Sequence, residues 1–451
     1  MIRLVLLMAL NCFAGNFALS TAAAGNTIDV TNAAMAGINT SSKAAILFIW
    51  SGRTATGQGE ADLRLGSGYA VSATDRGGAT CQSDHGSGTS ATDSQVFDDA
   101  CIKVLTITGS VEGAIDFNSY ITNGFRLIID DAFLSAYLIG FIAIWGDDLT
   151  VASSVTVTEP GATGNQDTTL TGFTANATDQ CLFVWGASDA AMNTSTGQSA
   201  FMFGAAAGAT PDNAVVAGAG QDAQGTSVTW SYCKLGEFIG WCGGAADAVS
   251  SRGAVTAWLA NAFRINWTEV SATAAPVFRV LGLKGGRYKL FDALTQTSTG
   301  TFTETGVGFT SIGQVVASHC QVQSTADTVQ AVQECTIGFA YGTGTSTVQA
   351  QVSVGAIDTD AAPTIDCGIA FDTSNVYLNQ STATTIVIEG TMATSSFDSD
   401  GYTFNMTDAD PAQSFFWGVG IAGNAVTFTP TEPSFDCPMP RTQPRTIYVP
   451  V

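Results

Sequence analysis

The sequence predicts an all-β protein: three tandem antiparallel β-sandwiches, jelly-roll or concanavalin-like in outline, followed by an extended Pro-rich C-terminal arm. Three observations predict it. The composition is rich in small and hydroxyl residues and poor in charge, helical periodicity is nearly absent, and a unit of about 138 residues recurs three times. Charged residues make up 12% of the 451, half the ~25% of ordinary soluble domains. Their place is taken by 49 Gly and by Ser, Thr and Ala, which favours short strands and many turns. A hydrophobic fraction of 45% with 26 Phe is too high for a disordered chain.

The repeat is carried by ordered markers. NGFRLIIDD (123–131) is echoed by NAFRINWTE (261–269) and DGYTFNMTD (400–408), so Phe125, Phe263 and Tyr402 recur at spacings of 138 and 139. The apolar runs GFIAIWG, FRVLGLKG and FWGVGIAG end at Gly146, Gly285 and Gly423. Upstream, DACIKV, SYCKLG and IDCGIA set Cys101, Cys233 and Cys367 in approximate register, and AILFIWSG matches CLFVWGAS, which aligns Trp50 with Trp185. Each copy is long enough to be a complete domain, and three beads on a string would make a stiff rod. The expected boundaries are 1–25 (strand or linker, signal-like), 26–150, 151–292 and 293–429 (sandwiches), and 430–451 (arm).

Within the marker segments, Phe263, Ile265 and Trp267 alternate with Arg264, Asn266 and Thr268. A period of two describes a strand with one wet face. AILFIWS and LIGFIAIW are continuous apolar runs, the pattern of strands covered on both sides. Residues 246–259 are the one stretch whose pattern suggests a short helix.

The two ends differ from the body. MIRLVLLMALNCFAGNFALSTAAAG has the outline of a secretory signal, but its apolar core of Leu4–Leu10 is short for an h-region and is interrupted by Asn11. Set against GFIAIWG and FRVLGLKG, residues 4–15 match the closing strand of a copy whose first part is missing. An orphaned strand needs a sheet to join, so Leu4, Val5, Leu6 and Leu7 are candidate assembly contacts. Six of the eleven prolines lie in the last 22 residues, a density that prevents helix and interior strand. Phe435 and Tyr448 are the apolar groups by which that arm would drape over a neighbour.

The formal charge of −22 and pI near 4.1 repel phosphate backbones and anionic membranes, which argues against nucleic-acid and membrane partners. Ten cysteines contain no CxxC pair, and His85 and His319 are the only histidines. A zinc site has little to build on, and mostly free thiols are expected. His319 precedes Cys320 directly, which sends their side chains to opposite faces of a strand, so no catalytic dyad is indicated. No P-loop, GxSxG or HExxH motif occurs. Asp147/Asp148, Asp398/Asp400 and Asp408/Asp410 stand where strands meet turns. They are turn formers first, and Ca2+ is the one cofactor whose oxygen ligands they could supply. Trp241 and Trp258 flank a Gly-rich insertion and are the candidate sugar-stacking pair, with core packing as their other reading.

The pattern Gly124-Phe125-Arg126-Leu127, Phe263-Arg264-Ile265-Asn266-Trp267 and Gly401-Tyr402-Thr403-Phe404-Asn405-Met406 resembles β-sandwich repeats of virion proteins from tailed, notably marine, bacteriophages. The likeness covers about residues 26–430, and the first copy departs from it at Ile129, where the second has Trp267. It implies a non-enzymatic tail-fibre, tail-associated or head-decoration component, assembled in the host cytoplasm. Its partners would be other copies of itself, other virion proteins and a host-surface glycan. No catalytic residue transfers with the likeness. The competing expectation is a secreted or cell-surface carbohydrate-binding adhesin that loses its first ~24 residues as a signal peptide.

Overall fold

A computed structural model describes residues 10–424 apart from 188–190, 243–248, 273–274, 323–328, 344–346, 361–366, 382–385 and 412. The protein is nearly all β: the described residues form strands and one 3-10 turn, Ala33–Met35, with no α-helix among them. The strands build six antiparallel sheets, three of six or seven strands and three of four.

In the first sandwich the large sheet runs Asn11–Ala18, Leu138–Trp145, Ala44–Trp50, Gly66–Ser72, Asp75–Ser83, Thr92–Phe97. The small sheet runs Thr27–Thr31, Gly124–Asp131, Val111–Ile121, Ile102–Leu105. The second repeats this order with Val151–Thr158, Val277–Lys284, Gln180–Gly186, Phe201–Ala207, Asp212–Gly220 and Thr229–Leu235, over Gly164–Thr169, Ala262–Glu269, Ser251–Leu259 and Ile239–Trp241. The third uses Arg287–Leu294, Ser414–Ala422, Gly313–Val322, Gln333–Gly342, Val348–Asp358 and Cys367–Asp372, over Gly300–Thr305, Gly401–Asp408, Val387–Asp398 and Tyr377–Ser381.

The aromatic marker keeps its place: Phe125, Phe263 and Tyr402 are each the second residue of a small-sheet strand and are fully buried. In the second sandwich Phe263, Ile265 and Trp267 point inward against Leu182, Val184 and Trp230 of the large sheet. The stretch expected as helix is the strand Ser251–Leu259, whose burial alternates with period two. Pairing with Ala262–Glu269 across its length overrides the local pattern.

Further expectations are corrected. Residues 11–18 are an opening strand and not the echo of a closing one. Asn11 lies opposite Trp145 and Ala18 opposite Leu138, the register in which Val151–Thr158 meets Val277–Lys284 and Arg287–Leu294 meets Ser414–Ala422. Opening and closing strands are sheet neighbours with similar apolar content, so their patterns resemble each other. The first sandwich therefore starts at Asn11, ahead of the expected 26, and the third at Arg287, ahead of 293.

Trp50 and Trp185 are not equivalent. Ala44 pairs with Trp145 and Gln180 with Lys284, which sets Trp185 level with Ile49 and puts the two indoles on opposite sheet faces. The cysteine register also fails. Gly68, Gly204 and Gly338 each abut one carbonyl so closely that a Cβ would lie 2.3, 2.4 and 2.1 Å from the oxygens of Cys101, Phe238 and Val376. Those three residues are the true equivalents, whereas Cys233 and Cys367 lie inside strands.

The sandwiches do not form a rod. One face of each large sheet packs on its own small sheet, and the other packs on the remaining two large sheets. In the second sandwich Leu182 and Val184 belong to the domain core. The alternate residues Cys181, Phe183 and Trp185 join a cluster holding Leu47 and Ile49 of the first sandwich and Ile337, Phe339 and Trp417 of the third. The three sandwiches close into a ring about a common axis with pseudo-threefold symmetry, and this is what covers the continuously apolar strands on both sides.

Candidate functional site

The ring is made at three seams, and each is sewn by an arm. After the third strand of every large sheet the chain leaves its own sandwich and reaches the outer edge of a neighbour. Gly57–Glu60 of the first pairs with Cys367–Asp372 of the third, Gly368 opposite Glu60 and Phe371 opposite Gly57. Thr196 of the second forms a bridge with Ser94 of the first. Gln330–Ala331 of the third pairs with Trp230 and Ser231 of the second. One edge of each large sheet, which would otherwise template aggregation, is thus met within the chain.

Between the sheets, the seams hold different side chains at level positions. At the first–second seam the Arg279 guanidinium donates to Tyr69 Oη (2.6 Å from Nη2) and to Thr156 Oγ1 (2.7 Å). Trp185 Nε1 donates to Ser67 Oγ at 2.9 Å, and the Trp185 ring lies 4.9 Å from that of Tyr69. Burial pushes the Tyr69 hydroxyl up to about 12, partly offset by the Arg279 charge. At the second–third seam Trp417 stacks on Phe203 with centroids 5.8 Å apart and planes at 17°, and Lys289 Nζ donates to Asp212 Oδ2 at 2.6 Å. At the third–first seam Phe13 meets Tyr341 at 4.9 Å. Gln333 ties all three sandwiches: its Nε2 donates to the Ser199 carbonyl at 2.7 Å and faces Cys81 Sγ at 3.9 Å.

Burial at the centre shifts its titratable groups toward their neutral forms. Asp358 is 1% exposed. Burial, reinforced by the Asp84 and Asp360 charges, pushes its carboxyl up to about 7 against the hydrogen bonds of Ser83 and Cys367. Eight described cysteines are buried with free thiols. Burial raises those of Cys12, Cys81, Cys101, Cys181, Cys335 and Cys367 far above the ordinary range and that of Cys242 to about 12. Thiols held protonated in this way pack as small hydrophobes. His319 is buried, and desolvation lowers it to about 3. His85 Nδ1 accepts from the Cys367 amide at 3.1 Å, which makes it a seam contact.

The candidate glycan pair is not a surface platform. Trp241 and Trp258 are 4% and 2% exposed, and their Nε1 groups donate to the carbonyls of Ala187 (2.5 Å) and Gly208 (2.7 Å). Both faces of each indole are spent inside the second sandwich, whose core includes them. The candidate assembly contacts Leu4, Val5, Leu6, Leu7, Phe435 and Tyr448, and the Pro-rich arm as a whole, lie outside the described residues.

Three of the acidic turn residues are satisfied internally. Asp398 accepts from Ser396 and Thr403 hydroxyls, and Asp400 accepts from the Gly308 amide at 2.7 Å. Buried Asp410 accepts from Thr295, Tyr377 and Asn379 side chains and the Ser414 amide. No group of three or more His, Cys, Asp or Glu stands together as a metal site among the described residues. Clefts of about 630, 410 and 350 Å³ open at the first–second, second–third and third–first seams. No helix among the described residues is long and apolar enough to cross a membrane.

Arg279 was legible as an anomaly, a cation inside the apolar run VFRVLGL. The arms and Gln333 carried no such signal. No protein-family model matches the chain, and comparison with curated proteins returns no match.

Proposed function

We propose that the chain is a non-enzymatic structural component of a tailed-phage particle, a tail-fibre, tail-associated or head-decoration protein that acts through assembly contacts. The observation that supports this reading is the ring itself. Three like sandwiches share one apolar axis, and each lends an edge strand or bridge to the next. That is the architecture of a homotrimeric building block made as one polypeptide. Such a block offers three similar lateral faces to a particle and keeps one edge of each large sheet engaged within its own chain. Its surface is polar through Thr, Ser and Asn and carries strong net negative charge, which favours solubility over nucleic-acid contact. The partners are other virion proteins, further copies of the chain and a host-surface glycan.

Antibody labelling of purified particles, read by electron microscopy and by mass spectrometry of the particle, tests the proposal. Labelling at a capsid or tail position is expected. Recovery of the chain only from cell surfaces or medium, with saturable binding on a glycan array, would replace it with the adhesin reading.

A further inference from the structure

The seams of the ring differ in one respect that the pseudo-symmetry hides. Peptide links the first sandwich to the second through the turn at Gly146–Thr150, and the second to the third through Gly285–Gly286. Among the described residues no such short linker spans the third–first seam, where the last described strand ends at Ala422 and the first begins at Asn11. One side chain stands in for the link. Asp148 Oδ2 accepts from the Leu10 amide at 3.3 Å and from the Asn424 amide at 2.8 Å. The carboxylate is aimed by its own turn, closed by Leu149 N to Gly146 O at 3.1 Å.

The second linker crosses the same spot. Gly285 (φ +100°) lies so close that a Cβ would sit 1.7 Å from the Asp148 carbonyl. Gly286 (φ +89°) abuts the Ala422 carbonyl and the Leu10 side chain, 2.7 and 2.9 Å from a Cβ. Both covalent linkers and the outer ends of the first and last described strands therefore meet in one knot, and Asp148 ties it.

Two side-chain ties of the linked seams have no counterpart at the open one. Asp75 receives the Ser154 amide at 3.1 Å across the first–second seam, and Asp212 receives Lys289 across the second–third. The level position at the third–first seam is Ala350. Where Arg279 and Trp417 cross the linked seams, the level residue is Gly140, set against Ile49 and Val352. The open seam is held instead by the borrowed strand Gly57–Glu60 and bonds to backbone, such as Ser51 Oγ to the Ala370 carbonyl at 2.8 Å.

We propose that the ring opens reversibly at its third–first seam and that Asp148 is the latch. Releasing the carboxylate frees the two strand ends, and the borrowed edge strand then peels from Cys367–Asp372 as one cooperative unit. The other seams stay shut because their linkers keep the faces together.

Hydrogen–deuterium exchange by mass spectrometry on the full-length chain tests this with Asp148→Ala and, as the control on a linked seam, Asp75→Ala. Loss of bonds to a charged acceptor predicts ~10-fold faster exchange in Asp148→Ala at Gly57–Glu60 and Gly368–Phe371. Neither segment touches Asp148, so a purely local role would leave them unmoved. Amides of Thr229–Leu235 should keep wild-type rates in that variant, and Asp75→Ala should leave the open seam protected. Acceleration shared by all three seams, or none at Gly57–Glu60 in a folded variant, overturns the proposal. Should Asp148→Ala fail to fold, Asp148→Asn keeps the shape and a neutral acceptor. A smaller rise confined to the same amides is then required, and its absence is equally fatal.

Discussion

The two faces of the strand Gln180–Gly186 are equally buried and do different work. Leu182 and Val184 close one sandwich against Trp258 and Phe263, while Phe183 and Trp185 fuse that sandwich to its neighbours. The first face has only local partners and is needed for the domain to exist. The second face, alone in water, would be an apolar patch of the kind that marks an interface. Equal burial thus separates into a domain-forming and an assembly-forming half, one residue out of phase. That difference can be broken experimentally.

The largest effects are expected from the two buried indoles. Trp185→Ala and Trp258→Ala should each cost about 3–5 kcal/mol, the range for deleting a large core aromatic. Their urea unfolding should nevertheless differ in shape. Trp185→Ala uncouples sandwiches and should split the transition, whereas Trp258→Ala weakens one sandwich and should move that domain's unfolding earlier. Identical curves would remove the distinction between the faces.

Next in size is Gly204→Ala. Its Cβ would lie 2.4 Å from the Phe238 carbonyl, an overpacking contact inside one sandwich worth about 1–3 kcal/mol. The loss should appear as a lowered midpoint with the ring intact by size-exclusion chromatography.

A pH series separates the axis from a single sandwich. Asp358, raised to about 7 in the folded state from ~3.9 unfolded, binds its proton more tightly when folded. Its contribution is fully present below pH ~4 and is lost as pH rises through about 7. Asp358→Asn should therefore raise the melting temperature at pH 8 and have little effect at pH 4. His319 has the opposite sign: lowered to about 3 from ~6.5 unfolded, it costs stability progressively as pH falls from ~6.5 towards about 3. The acid limb should survive in Asp358→Asn. A variant unaltered at pH 8 would show that the axis is wetter than its packing implies.

The smallest effect belongs to the outward face of the small sheets. Arg126 pairs bidentately with Asp29 at 2.6 and 2.7 Å, and Arg264 with Asp167 at 2.6 and 2.8 Å. These matching cross-strand pairs are solvent-exposed, and screening leaves such pairs little net weight. Arg126→Ala should leave the thermal midpoint within experimental scatter at physiological salt.

Legibility in the sequence followed the range of the interaction. The small-sheet marker strands were legible because one wet and one dry face produce alternation within eight residues, as in Ala262–Glu269. The large-sheet strands were legible only as covered on both sides, since an apolar run does not say what covers it. Patterns without a phase misled: Trp50 and Trp185 look alike in sequence yet face opposite ways, and Cys101, Cys233 and Cys367 share a neighbourhood without sharing a position. Trp241 and Trp258 were suspected of binding because they flank an insertion. Their indole nitrogens find backbone acceptors that no sequence pattern announces.

By itself the sequence determined the all-β class, the repeated unit and its strand alternation, because strand periodicity and turn chemistry are local. Tertiary structure alone decided that the three units close into a ring, that residues 11–18 open the first sheet, and that loops after the third strands become arms for a neighbour. Those outcomes depend on which apolar face meets which across hundreds of residues. Hydrophobic burial has no direction of its own, so only the packed shape of the partner surfaces selects the pairing.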